Sequence, residues 1–122
     1  GDWSAGSGYE IGCSMLQGPR PTAVFVANDQ MALGLLRAID EAGLRSPRDL
    51  SVVGFDDLPE AAFFTPPLTT VHQPIQAMGA AGITMLIALM NDSPVEQTHV
   101  RLPNSLVVRG TTAAPRPPAS RR

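Results

Sequence analysis

Apolar positions along this chain fall into short continuous runs and longer runs at helical spacing. Residues 22–27 and 50–55 are short, continuous and partly β-branched or aromatic, the pattern of fully buried strands. Between them, Ala32, Leu35, Leu36 and Ile39 share one face of a helix predicted over about 30–42, with Gly43 as its C-terminal cap. Strand, helix and strand make one βαβ unit, whose strands should run parallel through a right-handed crossover. Upstream, Ser7-Gly8-Tyr9-Glu10 has capping-box spacing and predicts a helix to about Leu16 or Gln17, with Ser4 as a rival N-cap. Gly6, Gly8 and Gly12 weaken that helix on propensity alone. Downstream, Pro59 and Glu60 open a short helical turn through Phe63 and Phe64, ended by Pro66-Pro67. Residues 68–71 predict a short strand or extended link, 75–90 a long helix of small and apolar residues, and 100–102 and 105–109 two more strands. The end from Ala113 is proline-rich and polar, and 116–122 is expected to be a disordered tail.

Both strands of the βαβ unit stop at polar pairs, Asn28-Asp29 and Asp56-Asp57. Parallel neighbours share a direction, so both pairs should stand on one sheet edge, the edge where open α/β sheets bind ligands. An amide offers a donor and an acceptor and a carboxylate offers two acceptors, which suits the hydroxyls of a sugar or nucleoside. Asn and Asp before a helix are equally standard N-caps, and for Asp29 capping is the stronger reading. Asp56 has no strong helix after it, so capping accounts for it less well. Trp3 is either a core or rim residue or a face on which a sugar ring stacks.

Composition narrows the classes. The chain has 122 residues, about one modest domain, with 43% hydrophobic residues, enough for a packed core. Nine basic and eleven acidic residues give a net charge of −2, with no electrostatic footprint for DNA. The single cysteine, Cys13, excludes an internal disulfide and fits a reducing cytoplasm, where it should be a small buried apolar residue. The first residues are neither basic nor apolar, so no secretion signal is expected. They open without a methionine, as if mid-domain. No apolar run is long enough to span a bilayer. His72 and His99 lack metal-type partners, and no nucleophile elbow, phosphate loop or dinucleotide fingerprint is present. The expectation is therefore a non-enzyme without metal or cofactor. Neighbours on a strand point to opposite faces, so Asp56 and Asp57 should not share one site as acid and base.

The stretches "GDWSA", "SGYE", "PTAVFVANDQMALGLLRAIDEAGLRSPRDLSVVGFDD", "PPLTTVHQP" and "LPNSLVVRGTT" occur in that order. In identity, order and spacing the sequence resembles the C-terminal part of bacterial repressors of the lactose/galactose-repressor (LacI/GalR) family, from Gly1 to about Pro115. The resemblance implies an incomplete periplasmic-binding-protein-like (type I) lobe, α/β with a parallel sheet. Residues 1–74 and 101–115 would form the C-terminal lobe of the effector-binding core, and 75–100 would contribute to the other, mostly absent lobe. It implies that a small sugar-like or nucleoside-like effector binds between lobes and modulates operator affinity. Operator DNA would be contacted only through an N-terminal domain absent from this sequence. By position in the motifs, Trp3, Asn28, Asp56, Gln73, Ile75 and Met78 match effector-pocket residues. Leu33, Glu60, Ala61 and Phe64 match the homodimer interface, with core packing as the alternative for Leu33. Gly110 stands where many members carry a charge, and leucine heptads for tetramers are lacking in the tail. A sugar-binding protein of a transport system shares the fold and is the rival reading, though "PPLTT" followed by His72-Gln73-Pro74 favours the repressor. A standalone truncated interaction fragment is a third. Alone, the segment should self-associate or be poorly stable, since its sheet edge and apolar helix would lack partners.

Overall fold

The computed structural model describes residues 1–95 and 98–115, so the expected tail at 116–122 lies outside the described residues. Helix α1 (Ala5–Leu16) starts from Ser4, whose Oγ accepts the Ser7 N–H at 3.1 Å. The capping-box reading from Ser7 is thus corrected in favour of its rival. The reason is Asp2, whose carboxylate accepts both the N–H and the hydroxyl of Ser4 and fixes it in the extended conformation that a cap requires. The hydroxyls of Ser4 and Ser7 hold the Asp2 carboxyl well below the usual carboxylate range.

Strand β1 (Ala23–Phe25) leads into α2 (Asp29–Glu41), and β2 (Ser51–Asp56) follows. Helix α2 ends in a Schellman motif: Leu44 N–H reaches Ile39 O at 3.0 Å and Gly43 N–H reaches Asp40 O at 2.9 Å, with Gly43 at φ 69°. A 3₁₀ helix (Pro59–Phe63), β3 (Thr69–His72), α3 (Ile75–Met90) and β4 (Ser105–Val107) complete the described elements. The sheet order is β1-β2-β3-β4, with β1, β2 and β3 parallel and β4 antiparallel to β3. Residues 100–102 form no strand, which corrects that expectation. They find no ladder partner and instead line a hollow beside α3 with Met78 and Met85.

The core lies on one face of the sheet, where Leu35, Leu36 and Ile39 of α2 meet Val26, Leu50, Val52, Ala61 and Leu68. Helix α1 packs on α2 rather than on the sheet centre. The two helices touch backbone to backbone: a Cβ at Gly34 would stand 1.9 Å from Ala5 O, and one at Gly8 would stand 2.2 Å from Met31 O. Of the three glycines that weaken α1 on propensity, Gly8 and Gly12 are therefore what lets the helices approach. Cys13 is half-buried on the outer side of this pair rather than buried.

Strand β1 departs from the fully buried strand expected, because Phe25 is 64% exposed and only Val24 turns inward. Its outer side chain meets Phe55 edge to face, ring centroids 6.3 Å apart. Among the described residues α1 and α2 lie over one face of the sheet, and β1 and β4 are its two edges.

The C-terminal segment closes the opposite end of the sheet. Thr111 is fully buried; its hydroxyl accepts the Thr69 N–H at 2.8 Å and donates to Val52 O at 2.7 Å, while its carbonyl accepts the Val52 N–H. Backbone groups at the starts of β2 and β3 are thereby satisfied by a residue far downstream. Helix α3, by contrast, buries none of its residues.

Candidate functional site

The carboxyl ends of β1, β2 and β3 bring the sequence-predicted polar residues to one edge. The Phe25↔Val53 and Asp56↔His72 registers make the three strands adjacent and co-directional. At the end of β1, Asn28 has two jobs. Its Oδ1 accepts the Met31 N–H at 2.8 Å as the N-cap of α2, and its Nδ2 donates to Trp3 O at 2.9 Å. The second bond ties the start of α1 to the sheet edge, where Trp3 is 65% exposed. At the end of β2, Asp56 Oδ1 accepts from Gln73 Nε2 at 2.7 Å, and its other oxygen has no partner among the described residues. Trp3 with Asn28, and Asp56 with Gln73, thus form two bonded pairs on one rim.

The backbone at this rim is unusual. Trp3 (φ 71°), Asp56 (φ 111°) and Asp57 (φ 57°) all hold positive φ, and elsewhere among the described non-glycine residues only Asp92 does. Bulky or charged residues hold such angles where the surrounding structure fixes them, and such residues concentrate at ligand sites. The reversal after Phe55 also separates the two carboxylates. Asp57 turns to a different set of partners: Arg109 Nη2 donates to its Oδ1 at 2.7 Å, and His72 Nδ1 lies 3.1 Å from its Oδ2. Arg109 is itself anchored by donating to Leu68 O at 2.9 Å. Asp57 is taken up by Arg109 and His72, whereas Asp56 keeps a free acceptor, so the two carboxylates do not face one another as an acid–base pair.

Ile75 is half-exposed, two residues beyond Gln73, and its N–H bonds Gln73 O at 2.9 Å. Met78 stands one turn further along α3 and lines the hollow of about 430 Å³ against residues 98–102. The structure therefore bonds Trp3 to Asn28 and Asp56 to Gln73, as two pairs on one sheet edge, and leaves Ile75 and Met78 on an uncovered helix.

Of the residues matched to a subunit interface, Leu33 and Phe64 line one surface hollow of about 400 Å³ with Phe63, Arg37 and Thr65. Glu60 is exposed nearby. Ala61 is corrected: with 0% exposure it belongs to the core, because the inner side of the 3₁₀ helix packs on Leu68 and α2. Phe63, 86% exposed, stands on this surface in its place. Its adjacency to Phe64 was visible in the sequence; which of the two turns outward was not.

Asp29 is the residue whose role local reasoning missed. It is not the cap. It is the first residue of α2, fully buried, and its carboxylate accepts the Thr70 hydroxyl and the Leu58 N–H. Neither partner is near it in sequence, so only the fold could reveal them.

An open, mostly parallel sheet with polar groups converging at its carboxyl edge is the architecture of the periplasmic binding protein-like domain. The chain belongs to that family, whose model matches residues 1–112. Within it, the chain is 48% identical over 116 residues to the lactose operon repressor of Escherichia coli (strain K12), covering 94% of this chain and 32% of that protein. The structure of the lac repressor dimer bound to operator and the anti-inducer ONPF matches with a TM-score of 0.87 and 48% identity, over 93% of this chain and 40% of that one. A LacI family transcriptional regulator from Lactobacillus casei with bound sucrose matches with a TM-score of 0.78 and 34% identity, over 89% of this chain and 41% of that one. The resemblance to LacI-family repressors thus extends over most of the chain. The chain spans about a third of the length of the curated relatives it matches. Among the described residues no helix is long and apolar enough to cross a membrane.

Proposed function

We propose that this chain is the effector-binding and dimerising part of a sugar-responsive transcriptional repressor acting in the cytoplasm. The observation that carries this reading is the rim itself: Asp56, paired with Gln73 and holding one free acceptor, beside the Asn28–Trp3 pair on adjacent parallel strand ends. A carboxylate oxygen and an amide suit sugar hydroxyls, and the exposed indole suits the apolar face of a ring. Ile75 and Met78 would add an apolar wall where the chain passes to a second lobe. In this reading residues 1–74 and 101–115 form one lobe and 75–100 belong to the other, which accounts for a helix α3 that buries nothing within this chain. Leu33, Glu60, Phe63 and Phe64 would meet their own copies across a two-fold axis in a homodimer. Operator DNA would be held by an N-terminal domain outside this sequence, its affinity set by the effector.

The test is a thermal-shift screen of sugars and nucleosides on the full-length protein, followed by titration calorimetry of the responding compound. Asp56→Ala removes a charged acceptor and should weaken binding by about 1.5–3 kcal/mol, roughly ten- to a hundredfold. Unchanged affinity would remove Asp56 from the effector site.

A further inference from the structure

Asn28 caps α2, which leaves the buried carboxylate of Asp29 without a local purpose. Its Oδ1 accepts the Thr70 hydroxyl at 2.6 Å and its Oδ2 accepts the Leu58 N–H at 2.8 Å. Room for it is made by Gly54 of β2, where a Cβ would stand 2.3 Å from Asp29 Oδ1. A carboxylate taken fully out of water needs donors around it, and here it has a hydroxyl, an amide and the N-terminal end of α2.

Leu58 is what gives this arrangement meaning. It directly follows Asp56 and Asp57, the two consecutive residues at φ 111° and 57°. A turn of that kind persists only where its surroundings fix it. Arg109 and His72 grip it by the Asp57 side chain, and Asp29 grips it by the Leu58 amide. The residues that follow Asp56, whose carboxylate accepts from Gln73, are thus tied down from two sides. Leu58 is also the N-cap of the 3₁₀ helix that carries Phe63.

We propose that Asp29 is a positioning residue for Asp56, holding the strained Asp56-Asp57-Leu58 turn through the Leu58 amide without touching the effector. This rests on the proposed reading only in naming Asp56 an effector contact.

The experiment uses the full-length protein without effector. Amide hydrogen exchange follows Leu58, and the NMR resonances of the Gln73 side-chain amide report the Asp56–Gln73 contact. Asp29→Ala should speed Leu58 exchange at least about tenfold and move the Gln73 resonances toward those of Asp56→Ala, while Leu35 and Leu36 in α2 exchange as before. Asp29→Asn, which can still accept from Leu58 and donate to the Thr70 oxygen, should restore Leu58 exchange to within about threefold of the parent and return the Gln73 resonances to the parent positions. Protection lost evenly across α2 and the turn would make Asp29 a plain stabiliser of the fold and overturn the proposal. Gln73 resonances unmoved by Asp29→Ala would overturn it as well. If the alanine chain does not fold, Thr70→Val removes one of the two bonds orienting Asp29. It should raise Leu58 exchange severalfold, and no change would refute the idea. These readings need no ligand, so their failure is distinct from a failure of Asp56 to bind effector.

Discussion

The contact between α1 and α2 gives a demanding test of how the site is built. Gly34→Ala adds one methyl group to the middle of α2. On an exposed helix this change is favourable by about 0.4–1 kcal/mol, through the unfolded chain. Here the new Cβ would stand 1.9 Å from Ala5 O and 2.6 Å from Tyr9 N, both backbone atoms of α1. Backbone cannot step aside as a flexible side chain can, so α1 must move as a body. Overpacking of this kind typically costs about 1–3 kcal/mol, and a backbone clash belongs at the upper end. The net expectation is a loss of about 2 kcal/mol, or roughly 8 °C in the unfolding midpoint of a 122-residue chain. Gly6→Ala is the control, since its Cβ would meet nothing nearer than Ser4 Oγ at 3.6 Å, and it should leave stability unchanged or slightly raised. Urea unfolding followed by circular dichroism measures both. Trp3, the sole tryptophan, reports by fluorescence whether the start of α1 has shifted away from Asn28. A Gly34→Ala chain as stable as its parent would refute the claim that glycine is required for this close approach.

Three further outcomes are expected. Thr111→Val keeps the shape but strips the Thr69 N–H and Val52 O of their buried partner, and should lower unfolding free energy by about 2–4 kcal/mol in chemical denaturation. In the full-length protein, Leu33→Lys should convert a dimer to a monomer in sedimentation velocity, since it would bury an unpaired charge in the proposed contact. The sole tyrosine, Tyr9, donates to Glu41, which pushes its phenol up to about 12; ultraviolet titration should show this, and Glu41→Gln should return it toward 10.0. A group whose folded value is raised stabilises fully below its unfolded value, so this contribution should fade as pH climbs from about 10 to 12.

Much of this architecture was legible along the chain because it is local. Helical spacing from Ala32 to Ile39 and apolar runs ending in Asn28 and Asp56 specified the βαβ unit, its direction and the edge at which polar groups gather. Helix α3 was bounded correctly at 75–90 by its run of small and apolar residues. The failures are non-local. Capping-box spacing favoured Ser7 over its rival Ser4, and only Asp2, folding back on Ser4, reverses that choice. Asp29 looked like a cap because its true partners, Leu58 and Thr70, arrive only through the crossover. The apolar run around Phe25 and the β-branched start of 100–102 both read as buried strand, yet burial depends on what covers a face, and ladders depend on a neighbour. Ala61 and Phe63 could not be told apart as inner and outer positions because a 3₁₀ turn has too few residues to show a period.

The plug formed by Thr111 has a consequence for how this molecule is made. On the ribosome, β2 and β3 emerge long before residue 111, and until it arrives the Val52 N–H and C=O and the Thr69 N–H have only water as partner. The chain must first run out through α3 and come back. Elongation alone therefore cannot finish this sheet from one end to the other. Its last bonds close only when the returning segment around Thr111 has left the exit tunnel, so chains cut short before residue 111 should be far better protease substrates than chains that include it.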